Sequence, residues 1–190
     1  MLKLQTTTPE ETQQVGRLIG EQAQAGDIYL LTGSLGAGKT CLTQGIAWGL
    51  GVVGYARSPT FVLMTRYQGR LTLHHLDLYR INDPLAAWDL GLDEQLSGDG
   101  VCVVEWADRA EEVFPQDALW IALDYTVLPQ EQHGGTAEAY GRLSSDAQGK
   151  SGGPHKGEGT RTITFGKHSS RYDTLLELLA QAFASSLVSS

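Results

Sequence analysis

Gly33-Ser34-Leu35-Gly36-Ala37-Gly38-Lys39-Thr40 decides the fold. The stretch fits G-x-x-x-x-G-K-[ST], the pattern of a loop that cradles phosphates. Gly33 and Gly38 let the backbone turn where a side chain would clash, and Gly36 removes a further obstruction. Successive N–H groups can then converge on phosphate oxygens. Lys39 supplies a cation that reaches the β and γ phosphates. The Thr40 hydroxyl suits magnesium, which takes few protein ligands and keeps several waters.

The flanks agree with this reading. Asp27 to Thr32 is a short apolar run and predicts a buried strand. Leu42, Ile46 and Leu50 recur at helical spacing after the loop. Strand, glycine loop and helix put a helix N-terminus at the phosphate site.

Upstream, Thr8 fits an N-cap, Pro9 a first helical position, and Glu11 closes a capping box. Val15, Leu18, Ile19 and Ala23 make the apolar stripe of that helix. Downstream, Gly49, Gly51 and Gly54 read as punctuation of a connection. Phe61 to Tyr67 and Arg70 to Tyr79 read as an antiparallel hairpin turning at Gln68-Gly69. On its second strand Leu71, Leu73, His75, Asp77 and Tyr79 share a face. A short helix is expected over Ala86 to Leu96, and strands over Val101 to Val104, Leu119 to Tyr125 and Thr160 to Phe165. Ser169 or Ser170 is expected to cap a last helix carrying Leu175, Leu176, Leu179 and Phe183. The tail after Ala184 is expected to fray.

At 190 residues the chain suits one domain, residues 1–190. Residues 130–159 break the pattern. They are glycine-rich and nearly devoid of apolar periodicity, so they read as a flexible insertion. His133 and His155 lie there without a surrounding ligand cluster. No apolar run approaches a membrane span and no secretory leader is evident. Cys41 and Cys102 form no C-x-x-C pair, so a reduced, cytoplasmic protein with both thiols in core elements is the simplest expectation. The net charge is −8. Nucleic-acid binders need a basic footprint, so strong RNA binding by this chain alone is not expected.

A phosphate loop does not hold magnesium alone. A carboxylate at the end of a neighbouring strand normally helps. Glu105 ends the apolar run Val101–Val104. Asp77 is the other candidate, though on the residues alone it could pair with Arg80. Ser58-Pro59-Thr60 fits either a nucleotide-sensing loop or a rigid turn. Trp106 could stack on a base or sit in the core.

Together these pieces resemble the TsaE (YjeE) family. The resemblance rests on Leu35-Gly36-Ala37-Gly38-Lys39-Thr40, Ser58-Pro59-Thr60-Phe61, His75-Leu76-Asp77-Leu78-Tyr79-Arg80, Asp83-Pro84, Leu90-Gly91-Leu92 and Val104-Glu105-Trp106. It spans about Thr8 to Tyr125 and resumes at Arg161. It implies a three-layer α/β P-loop NTPase fold with a mixed, mostly parallel central sheet. It implies an ATPase using ATP and Mg2+ in tRNA threonylcarbamoyladenosine synthesis, with TsaD and TsaB as partners and tRNA reached only through them. Thr40, Glu105 and Asp77 then become the magnesium-site residues, and Lys39, Asp77 and Glu105 the catalytic set. Nucleotide contacts fall on Gly33, Ser34, Leu35, Gly36, Ala37, Gly38, Lys39, Thr40 and Cys41, with Thr60 and Trp106.

This chain departs from the family pattern at three places. Ser34 replaces a usual acidic residue, Ala107 stands where proline commonly follows, and the 130–159 connection is long. A small-molecule kinase, a GTPase and a non-catalytic nucleotide-binding regulator are the competing functions. No lysine is followed two residues later by aspartate, so the guanine-reading N-K-x-D signature is absent.

Overall fold

The two runs that are apolar at every position become the two central strands. A strand flanked by strands and covered on both faces has no side that tolerates polar residues. The computed structural model describes residues 1–59, 63–81, 98–127 and 159–188. Its strands are β1 (Leu2–Thr6), β2 (Ile28–Thr32), β3 (Met64–Gln68), β4 (Thr72–Asp77), β5 (Val101–Glu105), β6 (Leu119–Val127) and β7 (Gly159–Phe165). They form one sheet in the order β1-β7-β6-β2-β5-β4-β3. The inner four, β6, β2, β5 and β4, run parallel. The outer pairings β1–β7, β7–β6 and β3–β4 are antiparallel.

Three helices, α1 (Pro9–Gln22), α2 (Lys39–Gly49) and α3 (Asp173–Ala182), share one core with one face of the sheet. Val15, Ile19, Leu42, Ile46 and Leu179 meet Tyr29, Leu31, Val103 and Ile121 there. The other face carries Leu30, Leu76 and Val104, covered by the 3-10 segment Ala107–Val113 and by Phe114. The expected layered α/β arrangement, mixed at its edges and parallel at its centre, is present.

Several details differ from the expectations. Gly49 is not in a connection. It lies in α2, and with Gly45 it faces Gly16 and Gly20 of α1. A Cβ at Gly45 would stand 2.1 Å from the Gln13 carbonyl oxygen, and one at Gly49 would stand 2.1 Å from that of Arg17. The two backbones touch, which glycine permits and its helix-breaking reputation hides. Leu2–Thr6 is a strand because it pairs with β7, its residue Leu4 opposite Ile163. The tail does not fray at Ala184: Val188 N–H donates to the Lys3 carbonyl at 3.1 Å, and Leu187 bridges Leu4.

The cap of α1 is as expected at Thr8, whose hydroxyl accepts from Glu11 N–H at 3.1 Å. The reciprocal bond goes one residue earlier. Glu11 Oε2 accepts from Thr7 N–H at 2.6 Å. Ser169 precedes the 3-10 turn Ser170–Tyr172 without capping it. Its hydroxyl donates to the Asp117 carbonyl, and neither serine caps α3.

The expected helix over Ala86 to Leu96, the Asp83-Pro84 and Leu90-Gly91-Leu92 matches, Thr60 and nearly all of the 130–159 insertion lie outside the described residues.

Candidate functional site

β2 delivers the glycine loop and α2 receives it. Gly33, Gly36 and Gly38 have φ of 131°, 81° and 111°, values that a side chain resists. Gly33 is also packed against the backbone, since a Cβ there would stand 2.1 Å from the Leu123 carbonyl oxygen. The loop's shape therefore demands glycine at these positions. Because α2 starts at Lys39, its first N–H groups have no acceptor inside the helix and face the loop's hollow.

Lys39 Nζ donates to the carbonyls of Gly33 at 2.6 Å and Ser34 at 3.0 Å. Burial lowers the Lys39 pKa, and Glu105, Asp108 and Asp77 oppose that shift. Nζ also stands 3.6 Å from the centroid of the Trp106 ring. Trp106 holds that place from a left-handed backbone, φ 60° and ψ 39°. A non-glycine residue pays roughly 1–2 kcal/mol there, a strain that tends to gather at functional sites. Trp106 thus meets the glycine loop through Lys39. Ala107 follows as the first residue of the 3-10 segment, a position that proline also fits.

Two carboxylates end adjacent strands. Asp77 and Glu105 are partners across β4 and β5, and both are 2% exposed. Glu105 Oε2 accepts from the Thr40 hydroxyl at 2.9 Å, and Oε1 lies 2.8 Å from His75 Nε2. Asp77 Oδ1 accepts from Tyr79 N–H at 2.9 Å, and Oδ2 takes the Ser58 hydroxyl. The backbone adds to this second tie. Asp77 N–H donates to Leu63 O at 3.0 Å, and Leu63 N–H donates to Pro59 O at 2.7 Å. The flanks of Thr60 are therefore fastened to Asp77.

The loop, Thr40, Asp77, Glu105 and Trp106 line one cavity of about 440 Å³. Leu35 is exposed, at 81%, and lines the cavity by its edge of the loop. Ser34 contributes through its carbonyl, which accepts from Lys39 and from Ala37 N–H, so its departure from an acidic side chain leaves these bonds intact. Cys41 is not core: it is half-buried, lines the cavity, and donates to the Pro9 carbonyl at 3.2 Å. Cys102 is buried in β5, and burial pushes its thiol up to about 12.

Three oxygen donors, Thr40, Asp77 and Glu105, suit magnesium, which often takes one or two carboxylates and fills its sphere with water and phosphate. Among the described residues no group of three or more His, Cys, Asp or Glu could hold a metal.

Two residues of the site have no role assigned from the sequence. His75 stands there on the face of Asp77 and at the head of the His75–Arg80 match. Arg161 was noted only as the point where a resemblance resumes. It is 7% exposed, its side chain lies 3.1 Å from where a Gly38 Cβ would be, and it lines the same cavity. Its guanidinium sits 4.8 Å from the Tyr125 ring centroid, and its Nε has no hydrogen-bond partner. A buried arginine aimed at a phosphate loop is a functional signal that only the β6–β7 pairing reveals.

A glycine loop that joins a central strand to a helix, with an acid ending the next parallel strand, is the construction of P-loop nucleotide-binding proteins, and this chain has their α/β fold. Residues 6–132 match the family described as "Threonylcarbamoyl adenosine biosynthesis protein TsaE", and the chain belongs to that family. The tRNA threonylcarbamoyladenosine biosynthesis protein TsaE of Bacillus subtilis is 47% identical over 123 residues, covering 64% of this chain and 77% of that protein. Its counterpart in Treponema pallidum is 40% identical over 114 residues, covering 60% and 84%. The crystal structure of Bacillus subtilis YdiB superposes with a TM-score of 0.65 at 35% identity, covering 96% of this chain and 97% of that one. No helix among the described residues is long and apolar enough to cross a membrane.

Proposed function

We propose that the chain is a magnesium-dependent ATPase that serves tRNA threonylcarbamoyladenosine modification together with TsaD and TsaB. The observation that carries this reading is the convergence of Lys39, Thr40, Asp77 and Glu105 on one glycine loop. In this reading the triphosphate lies along the loop from Gly33 to Cys41. Lys39 leaves the Gly33 and Ser34 carbonyls for the phosphate oxygens. Arg161 supplies a second cation from the β7 side, and Trp106 shields Lys39 from water. Thr40, Glu105 and Asp77 would hold magnesium, which would supply neutralisation of charge on the phosphates. The loop amides and Lys39 stabilise the charge that develops as water attacks the γ-phosphorus. Asp77 would orient that water.

ATP is favoured over GTP because the guanine-reading signature is absent. The net charge of −8 supports tRNA contact through the partners. Phosphate release by the purified chain, with and without TsaD and TsaB, tests the proposal. The expected result is magnesium-dependent release that the partners stimulate, with at least about a hundredfold loss in Lys39→Ala, the scale on which removing one preorganised charge-stabilising group acts. Unchanged release in Lys39→Ala overturns the assignment of the site.

A further inference from the structure

The two oxygens of Glu105 are held from different sides. Thr40 takes Oε2, and His75 takes Oε1. His75 lies on β4 opposite Val103 of β5, two residues before Glu105, and its side chain is wholly buried. Its Nδ1 is buried and has no hydrogen-bond partner. A proton on Nδ1 would be an orphaned donor, so the proton belongs on Nε2, facing the carboxylate. An unpaired ring nitrogen is a poor choice for a residue that only fills space. An apolar side chain would fill the same volume without it. The Nε2 contact with Glu105 is the return for keeping a histidine there.

We propose that His75 is a positioning residue for the magnesium site. It holds Glu105 by Oε1 and so keeps Oε2 on the Thr40 side, where α2 presents its hydroxyl. Thr43 supports the same arrangement weakly, with its hydroxyl 3.4 Å from Oε1 and 3.0 Å from the Lys39 carbonyl. Without His75 the carboxylate can rotate away from Thr40, and the cation loses a preset ligand. Hydrogen-bonded partners of metal ligands commonly govern metal affinity in this way. The inference rests on the reading of Thr40 and Glu105 as the magnesium holders.

The test is equilibrium binding of a non-hydrolysable ATP analogue, adenylyl imidodiphosphate, measured by calorimetry with magnesium and with chelator. The quantity read is the gain in affinity that magnesium confers. In His75→Leu that gain is expected to fall by about tenfold to a hundredfold, while binding in chelator stays within about threefold of the parent. His75→Gln, whose amide can reach Oε1, is expected to restore the gain. If the leucine variant does not fold, His75→Asn takes its place, because its shorter amide cannot reach and the gain must still be lost. A full magnesium gain in the leucine or asparagine variant overturns the proposal. So does an equal loss in the glutamine variant, which would mark a steric role. A parent protein that binds the analogue without any magnesium gain overturns the reading of the metal site itself, and the two failures are thereby distinct.

Discussion

Asp77 and Glu105 end neighbouring strands on the same rung of the sheet, yet they are fastened to different parts of the molecule. Glu105 is tied to α2 through Thr40, and α2 is pressed backbone to backbone against α1 at four glycines. Asp77 is tied to the loop that contains Ser58 and Pro59, by its side chain and by Leu63. One carboxylate therefore has a helix pair behind it and the other a loop. Under the proposed function the difference fits a division of labour: a group that holds a cation at fixed geometry gains from a mount on packed helices, and one that senses the nucleotide gains from a tie to a separate segment.

Breaking the helix mount should have the largest effect. In Gly45→Ala the new Cβ meets the Gln13 carbonyl at 2.1 Å and must push the helices apart. The expected cost is about 3 kcal/mol, a fall of roughly 6–12 °C in melting temperature for a chain of this size. A shift within about 1 °C in thermal unfolding would show that the helix contact is soft.

Next come the carboxylates themselves. Glu105→Gln is expected to weaken magnesium-dependent nucleotide binding by about 10–100-fold. Asp77→Asn should weaken that binding less than Glu105→Gln does and lower phosphate release by about a hundredfold, the low end of a general acid–base contribution. Equal defects in binding for both variants would erase the contrast.

A smaller effect belongs to the loop's side of the tie. Ser58→Ala removes a bond to a carboxylate, with an expected loss of about tenfold in turnover. In an Asp77→Asn background the same change should be nearly silent, because the two act as a unit. Additive losses would place Ser58 in a separate role.

The smallest effect tests how firmly α1 is begun. The Thr7 backbone N–H, opposed by partial desolvation and joined by the Thr7 hydroxyl, holds the Glu11 carboxyl below its usual pKa. A lowered carboxyl pKa adds stability above the unfolded value and loses it as pH falls through the folded one. Glu11→Gln is thus expected to cost about 0.5 kcal/mol at neutral pH, as exposed charge contacts do. The gap to the parent should begin to narrow as pH falls through about 4.3, the unfolded value, and close only below the lower folded value, where the glutamate is protonated in both states. A gap that does not narrow at all with acid in thermal melts would assign the loss to something other than charge.

The phosphate loop was legible because each of its fixed positions answers to a local demand, as Gly33 does to the Leu123 carbonyl. The β3–β4 hairpin was legible from period-two patterning, and β2 and β5 from unbroken apolar runs. What stayed hidden depends on partners distant along the chain. Leu2–Thr6 is a strand only because β7 lies beside it. Gly49 looks like a helix stop until α1 is seen against it. Asp77 and Glu105 could be named as acids at strand ends, but His75 could not be assigned to Glu105 before β4 and β5 were set in register. Arg161 reaches the loop across β6, a placement that no local pattern announces.

Val127 and Gly159 are partners across β6 and β7. The chain therefore leaves the sheet and re-enters it at one place. Closing a loop between fixed neighbours costs an entropy that grows only with the logarithm of its length, about 0.6 kcal/mol for each doubling. Residues can thus be added or lost between them at little thermodynamic cost, while Arg161, two residues beyond Gly159, keeps its place beside Gly38. The place of this arginine is thus set by the rung of the sheet that carries it and not by the length of chain before it.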